Sequence, residues 1–309
     1  MNLSRNLLLW ASQNAFLRDT LPTYGFVKRA VRRFMPGEDV ESALIGAEAM
    51  RSRGIPTIFT RLGENVTSEA EADAVRDHYL DVLDKVKARG LDTHISTKLT
   101  QLGLDLDPDL AFRNMLAITQ KARRLGNMTW IDMESTPYVD VTLDIFRRIH
   151  AESDNVGVCL QSYLRRTKAD LEALYPLSPA VRMVKGAYKE PPDLVFMKKS
   201  DVDENFFLLC ADYLRRVDGR KSNLGFGTHD ITLIHRMITE TEKMDFGKKV
   251  PEFQMLYGIK TDHQYRLAAE GYRVRVLIAY GSYWFPWYMR RLAERPANVW
   301  FVLKNLFSS

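Results

Sequence analysis

The chain has 309 residues, of which 46% are hydrophobic and 27% are charged, and its formal net charge is +5. That apolar content excludes a disordered or low-complexity protein, because it can bury enough surface to offset the entropy of ordering the chain. Five excess positive charges over such a length are too few for a nucleic-acid-binding surface, although they suit an anionic small substrate or an acidic membrane surface.

The cysteines, histidines and apolar runs indicate a cytoplasmic protein without a bound metal. Cys159 and Cys210 have neither metal-ligand spacing nor a disulfide framework, which favours a reducing compartment. The histidine spacing matches no metalloenzyme motif. The longest apolar runs are about five residues, against the roughly 18 that a transmembrane helix needs. The run 7–11 ends too early for a secretory signal peptide.

Along the chain, helical segments alternate with short β-rich segments. Residues 1–50 are predicted to form helices at 7–16, 24–34 and 40–51, and we interpret them as an N-terminal helical arm on a catalytic domain at 51–309. Strands are predicted at 56–60, 94–98, 129–133, 156–160, 181–184, 224–228, 252–256 and 274–279. Helices between them include 70–88, 108–125, 141–150 and 204–217, and Asp107 is expected to cap the second of these before Pro108.

Eight strands that are each followed by a helix predict an α/β protein with a closed (β/α)8 barrel of the TIM type. An open dinucleotide-binding sheet would carry G-x-G-x-x-G after its first strand, and the sequence has no such motif there. The near match at Gly225 and Gly227 falls on the sixth strand and lacks the third glycine. A barrel is therefore favoured over an open sheet.

Polar side chains recur at the carboxyl ends of the predicted strands, where barrel enzymes carry their active sites. They are Lys98, Asp132, Glu134, Gln161, Arg182, Lys185, Thr228, His229, Asp230, Gln254 and Tyr280. Because these groups form a ring at one end of the barrel, they predict an active site there.

An extra C-terminal helix is predicted to begin at Pro286, directly after the last strand. Trp287, Arg290, Arg291 and Glu294 share one face of it. An aromatic ring beside two guanidinium groups suits a small carboxylate with an apolar body, and Glu294 could hold the arginines in place. The alternative is a solvated helix with Arg–Glu pairs, but the position at the barrel mouth favours a catalytic helix.

Five motifs in this order resemble those of the flavin-dependent proline dehydrogenase family. They are KLTQLG at 98–103, MVKGAYKEP at 183–191, THD at 228–230, EFQMLYG at 252–258 and RRLAERP at 290–296. The likeness spans 55–308, and the length is similar to that of the monofunctional bacterial members, which lack a fused aldehyde dehydrogenase. It implies FAD-dependent oxidation of L-proline to 1-pyrroline-5-carboxylate, the first step of proline catabolism to glutamate, with electrons passed to a membrane quinone.

The resemblance also implies which residues bind the cofactor. Arg182 would lie near flavin N5 and favour the reduced, electron-rich ring. The other residues that would contact or hold the flavin and its phosphates are Met133, Gln161, Lys185, Gly186, Ala187, Thr228, His229 and Gln254.

The substrate site follows from the same resemblance. Lys98, Arg290 and Arg291 would bind the carboxylate of proline, and Tyr188 and Trp287 would line the ring pocket. Asp132 would lie beside Lys98 and order the polar network near the reacting centre. Glu64 would pair with the first arginine of the last helix when the site closes, forming a gate near Glu294.

Two positions depart from the family pattern, which leaves alternatives open. Leu277 stands where many members carry tyrosine, and Trp287 stands where tyrosine is common. Because the wall of the ring pocket decides which substituents are accepted, a dehydrogenase of 4-hydroxyproline or another cyclic amino acid is the first alternative. From other classes, a flavin-free barrel lyase or aldolase with Lys98 or Lys185 as Schiff-base lysine, or a proline-sensing binding protein, would be colourless.

The resemblance implies two partners, a membrane quinone and a downstream enzyme. A membrane quinone as electron acceptor requires visits to the inner face of the cytoplasmic membrane. The apolar segment 299–307 would cap the barrel or contact lipid. A downstream pyrroline-5-carboxylate (glutamate semialdehyde) dehydrogenase would consume the product.

Overall fold

The computed structural model describes residues 31–63, 65–216, 223–285 and 287–289. Within them, eight parallel strands form a closed barrel in sequence order, and the last strand pairs with the first. Each of the eight predicted strands overlaps one of these, which confirms the predicted (β/α)8 barrel. Their bounds are Thr57–Arg61 (β1), Thr93–Thr97 (β2), Thr129–Ile131 (β3), Val156–Gln161 (β4), Ala180–Val184 (β5), Leu224–Gly227 (β6), Glu252–Leu256 (β7) and Val274–Tyr280 (β8).

Helices cover the outside of the barrel, and α2 to α8 follow β1 to β7 in turn. Asp107 accepts a hydrogen bond from the backbone N–H of Asp109 at 3.0 Å, and Pro108 takes the first helical position, as predicted. In the described residues the helices are Val40–Arg51 (α1), Glu69–Ala88 (α2), Pro108–Arg124 (α3), Val139–Glu152 (α4), Thr167–Glu172 (α5), Lys199–Arg216 (α6), Ile231–Lys243 (α7) and Thr261–Ala269 (α8). Short 3-10 turns lie at Leu99–Leu102, Thr136–Tyr138 and Tyr175–Leu177.

Helix α1 packs against the barrel wall where β8 meets β1. Ala43, Leu44 and Ala47 are fully buried in the main core. A Cβ at Gly46 would lie 3.4 Å from Cδ1 of Ile278, so the helix backbone rests directly on β8. The helix predicted at 40–51 is thus confirmed, whereas the one at 7–16 lies outside the described residues, as does all but the end of 24–34. The division of the chain at residue 50 stays a prediction.

Side chains alternate along each strand between the helices outside and the barrel interior. In β5, Val181 and Met183 join the hydrophobic core, while Arg182 between them makes its hydrogen bonds to β2, β3 and β7 across the interior. In β4, Gly157 makes room for an aromatic ring, because a Cβ there would lie 2.5 Å from two ring carbons of Trp130. The interior of this barrel therefore carries charge as well as apolar packing.

The segment after β8 packs into a small second apolar cluster. Trp284, Phe285, Tyr288 and Met289 are buried there against Val31 and its neighbours. Residues 284–285 and 287–289 are helical, so the helix predicted to begin at Pro286 begins before it. Across the described part of the chain, no helix combines the length and the apolar character that crossing a membrane requires.

Candidate active site

Arg182 is the central side chain of the polar site inside the barrel. The residue is 4% exposed, and its Nε donates to Oε1 of Gln254 at 2.6 Å. Its Nη1 donates to Oδ1 of Asp132 at 2.8 Å and to Oγ of Ser96 at 2.9 Å. The guanidinium carbon lies 4.7 Å from the ring centroid of Trp130, in cation–π contact. One side chain of β5 thus connects β2, β3 and β7.

The remaining nitrogen of Arg182 fits a bound cofactor. Nη2 is buried and has no hydrogen-bond partner among the residues that the structure describes. Because an unpaired buried N–H group costs about 1–3 kcal/mol, more when charged, such a group calls for an acceptor beyond the described residues, which a bound cofactor can supply. A flavin ring carries acceptor nitrogens and oxygens along one edge, so the residues present fit the group that the sequence implies.

Asp132 and Lys98 follow two neighbouring strands. The backbone N–H of Asp132 donates to the carbonyl oxygen of Thr97 at 2.9 Å, which places both residues at adjacent strand ends. The Asp132 carboxylate also accepts a hydrogen bond from Oγ of Ser96 at 2.8 Å. Lys98 is half-buried directly after β2. The Asp132 carboxylate forms an ion pair with Arg182 at 2.8 Å, whereas the sequence suggests Lys98 as its neighbour.

Gln161 is held at the end of β4 by its own side-chain donor. Its Nε2 donates to the backbone oxygen of Glu134 at 2.8 Å, and the residue is 3% exposed. The Glu134 carboxylate accepts hydrogen bonds from the backbone N–H of Thr100 at 3.2 Å and from its Oγ1 at 2.8 Å. Met133, which precedes Glu134 in the sequence, is also buried. The ends of β2, β3 and β4 are thus fixed to one another.

Lys185 forms ion pairs with two carboxylates just beyond β5. Its Nζ lies 2.5 Å from Oδ1 of Asp203 and 3.0 Å from Oδ2 of Asp230. Burial raises the pKa of Asp230, but its hydrogen bond and charge interaction with Lys185 outweigh burial and lower it below the ordinary value. A Schiff-base lysine needs a neutral amine, so this cationic pairing disfavours the aldolase alternative for Lys185.

The loop after β5 crosses closely over the end of β4. Gly186 has a φ of +108°, and a Cβ there would lie 2.1 Å from the ring of Tyr163, so only glycine fits. Glu190 ties the loop to the end of β3, because its Oε1 accepts a hydrogen bond from the backbone N–H of Thr136 at 2.8 Å. Ala187 is exposed and Tyr188 half-buried on this loop.

Thr228 and His229 shape the turn between β6 and α7. Oγ1 of Thr228 accepts a hydrogen bond from the backbone N–H of Asp230 at 3.1 Å. Nε2 of His229 accepts one from the backbone N–H of Leu256 at 2.8 Å, so the ring proton is on Nδ1. These contacts fix the two side chains at the strand ends where a cofactor would bind.

The structure thus brings most of the predicted residues to the carboxyl ends of β2 to β7. Those placed there are Lys98, Asp132, Met133, Gln161, Arg182, Lys185, Gly186, Ala187, Tyr188, Thr228, His229 and Gln254. Trp287 is half-buried and packs against the second apolar cluster. Glu64, Arg290, Arg291 and Glu294 lie outside the described residues, so their roles stay predictions.

Sequence reasoning missed several residues that support this site. Ser96 and Trp130 contact Arg182, and Glu252 contacts Gln254. Ser96, Trp130 and Glu252 each stand two positions before a predicted site residue within the same predicted strand. Because side chains two apart on a strand face the same side, that spacing was the signal that could have found them.

Comparison with known proteins gives matches to one family. The proline dehydrogenase family model matches residues 43–304. Proline dehydrogenase 1 of Bacillus subtilis subsp. natto is 36% identical over 306 residues, or 98% of each chain. The proline dehydrogenase of Deinococcus radiodurans is 39% identical over 279 residues, or 89% of each chain.

A solved structure shows the same fold. Proline utilization A from Bdellovibrio bacteriovorus, inactivated by N-propargylglycine, superposes with a TM-score of 0.80 at 21% sequence identity. The match covers 94% of this chain and 36% of that longer one. With the family match and the full-length relatives, the chain belongs to the proline dehydrogenase family.

Proposed function

We propose that the chain oxidises L-proline to 1-pyrroline-5-carboxylate with FAD as its cofactor and a membrane quinone as electron acceptor. Proline oxidation is the first step of proline catabolism and is the reaction of the family. The observation that carries the proposal is the buried, unpaired Nη2 of Arg182 among polar strand ends. The family uses a flavin, and the same nitrogen suits an acceptor on its ring.

The chain's own residues would hold the flavin and set its charge. Arg182 brings a fixed positive charge to the barrel interior, which favours a reduced ring with extra negative charge. Gln161, Met133 and Gln254 line the same end of the barrel. Phosphates would be held by Lys185 and its loop and by the turn at 228–229, which the Lys185–Asp230 ion pair brings next to each other.

The substrate is bound through its carboxylate and positioned by its ring. Lys98, with Arg290 and Arg291, would anchor the carboxylate, and Tyr188 and Trp287 would enclose the ring. Asp132 balances the local positive charge through its ion pair with Arg182. The bound flavin supplies the hydride acceptor, while the protein orients the neutral amine and its neighbouring C–H bond. Glu64 with Arg290, beside Glu294, would close the site.

The deciding experiment is the absorption spectrum of the purified protein before and after anaerobic L-proline. We expect flavin bands that bleach when proline is added. Bands that persist with proline but bleach with 4-hydroxyproline would show that 4-hydroxyproline is the substrate. Leu277, half-buried in β8, is the residue that raises this alternative. A protein that stays colourless after incubation with FAD would overturn the proposal and favour a lyase or a proline-sensing protein.

The acceptor and the product imply two further partners. A quinone dissolved in lipid is reached only at the membrane surface, so we propose peripheral contact with the inner face of the cytoplasmic membrane. Pyrroline-5-carboxylate opens by hydrolysis to an aldehyde, so we propose a downstream pyrroline-5-carboxylate dehydrogenase as the next enzyme. Quinone reduction by the protein with membrane vesicles, compared with buffer alone, tests the first of these.

A further inference from the structure

A chain of polar side chains, buried except for Asp92 at its end, continues from Arg182 toward the amino ends of the strands. Nε2 of Gln254 donates to Oε1 of Glu252 at 2.8 Å. Nε of Arg275 lies 3.0 Å from both oxygens of that carboxylate. Nη1 of Arg275 donates to Oδ1 of Asp92 at 2.8 Å. Arg182 is thus connected to charged groups toward the amino ends of the strands, away from the carboxyl ends where the candidate site lies.

Glu252 is a buried anion at the middle of this chain. The residue is 6% exposed and Arg275 is 1% exposed, while Arg273 lies 2.6 Å from the second Glu252 oxygen. Burial raises the pKa of Glu252, but Arg275 and Arg273 outweigh it and hold that pKa below its ordinary value. An ionised carboxylate only accepts hydrogen bonds, so its partner on Gln254 must be the amide NH2.

The two neighbours of Gln254 select one orientation of its amide. Nε of Arg182 is a donor and requires the amide oxygen, which it meets at 2.6 Å. The Glu252 carboxylate is an acceptor and requires the amide nitrogen. A neutral glutamine at 252 could accept or donate, so only Arg182 would then select the amide orientation. The direction of the Arg182 guanidinium, and hence of its unpaired Nη2, depends on this selection.

We propose that Glu252 is a positioning residue that acts through Gln254 to aim the Nη2 group of Arg182 at the bound flavin. The proposal rests on the proposed flavin-dependent function. Glu252 itself would touch neither substrate nor cofactor. Its effect should therefore appear in the properties of the flavin, namely its reduction potential and its affinity, as well as in the rate.

The test compares Glu252→Gln with Asp92→Asn in the FAD-loaded protein. Both variants remove one negative charge that pairs with Arg275, but Asp92 makes no hydrogen bond to Gln254. We expect Glu252→Gln to lower the equilibrium constant for flavin reduction about tenfold, or about 30 mV for a two-electron couple. Asp92→Asn should change it less than twofold. The FAD dissociation constant of the apoprotein, measured by fluorescence, should rise only for Glu252→Gln.

A double-mutant cycle separates positioning from simple charge. In an Arg182→Lys background the positive charge remains, but the fork of hydrogen bonds is gone. If Glu252 acts through that fork, Glu252→Gln should no longer shift the potential there. A shift of the same size in both backgrounds, or equal shifts for Glu252→Gln and Asp92→Asn, would overturn the proposal.

A second variant covers the case in which Glu252→Gln does not fold. Gln254→Met leaves the Glu252–Arg275–Arg273 ion pairs in place but breaks the connection to Arg182, and we expect the same loss of potential. An unchanged potential in it contradicts the proposal. A wild-type protein that binds no flavin, or whose flavin proline does not reduce, would instead refute the proposed function.

Discussion

Arg182 shows at the residue scale how one buried side chain can serve structure and ligand together. Two of its nitrogens are used by Gln254, Asp132 and Ser96, which fixes the plane of the guanidinium. The third is buried and has no partner within the described part of the chain. Because the fork is rigid, fixing two nitrogens also fixes the third. The position of the group that faces the cofactor is therefore set by neighbouring strands.

Arg182→Lys tests the value of this geometry at constant charge. Lysine cannot donate to Gln254 and Asp132 together in the same plane, and hydrogen bonds to charged groups contribute about 1.5–3 kcal/mol each. We expect the rate of flavin reduction by proline, followed by stopped-flow absorbance, to fall roughly 10- to 100-fold. A rate within about twofold of wild type would show that charge alone is sufficient.

Arg290→Ala and Arg291→Ala test the proposed carboxylate site. Losing one cation should weaken proline binding, so we expect KM for proline to rise more than kcat falls in each variant. Arg124→Ala, at an exposed position in α3, is the control. Steady-state kinetics with a soluble quinone provide the measurement. An unchanged KM in both variants would contradict the assignment.

Strand-end residues could be predicted from the sequence, but their supporting residues could not. Lys98, Asp132 and Gln161 end β-rich segments, and the barrel rule places such residues at the site. The Arg182–Ser96 hydrogen bond joins residues 86 positions apart across the closed barrel. Which interior side chains meet depends on strand register after closure, which local patterns do not specify.

At the scale of elements, the packing of β3 on β4 depends on Gly157 of β4, which has no side chain. Gly157 pairs with Trp130 in the parallel register, and its lack of a Cβ lets the indole lie inside the barrel. That indole packs on the Arg182 guanidinium and donates through Nε1 to Nδ1 of His94 at 3.1 Å. A glycine in β4 thus helps to position the arginine of β5.

Gly157→Ala should therefore affect both stability and the site. The new methyl group would lie 2.5 Å from the indole ring, and overpacking of this kind typically costs about 1–3 kcal/mol. We expect a lower midpoint in urea and a slower flavin reduction. Gly247→Ala is the control, because a Cβ there meets nothing within 4 Å. If the two variants are equally stable and active, Gly157 is not needed for this packing.

Element boundaries were predictable where a local signal exists. The cap at Asp107 and Pro108 marked the start of α3 correctly. The helix predicted at 204–217 begins earlier, at Lys199, because its first turn is polar and is held by a Lys199–Asp203 ion pair instead of apolar periodicity. The sequence also predicts helix α1, but not its position at the β8–β1 junction, because that position depends on tertiary packing.

At the scale of the whole molecule, buried histidines link folding to pH. His78 is half-buried, and Tyr280 lies 2.8 Å from its Nε2. Burial, followed by the charge of Arg61, lowers the pKa of His78 to about 4. Burial, followed by Arg275, also lowers the pKa of His94 well below its ordinary value. Well above a pH of about 6.5 both histidines are neutral in the folded and the unfolded chain, so they do not affect stability there.

Below about pH 6.5 the unfolded chain gains protons that the folded chain does not, so stability must fall as the pH is lowered toward about 4. We expect the urea midpoint, measured at fixed FAD concentration, to decrease from pH 7.5 to pH 5. His78→Gln keeps an acceptor for Tyr280 but removes one of these protons, so its midpoint should decrease less over the same range. His235→Gln, on the exposed face of α7, is the matched control. Equal decreases in wild type and His78→Gln would show that His78 does not contribute to the acid sensitivity of the fold.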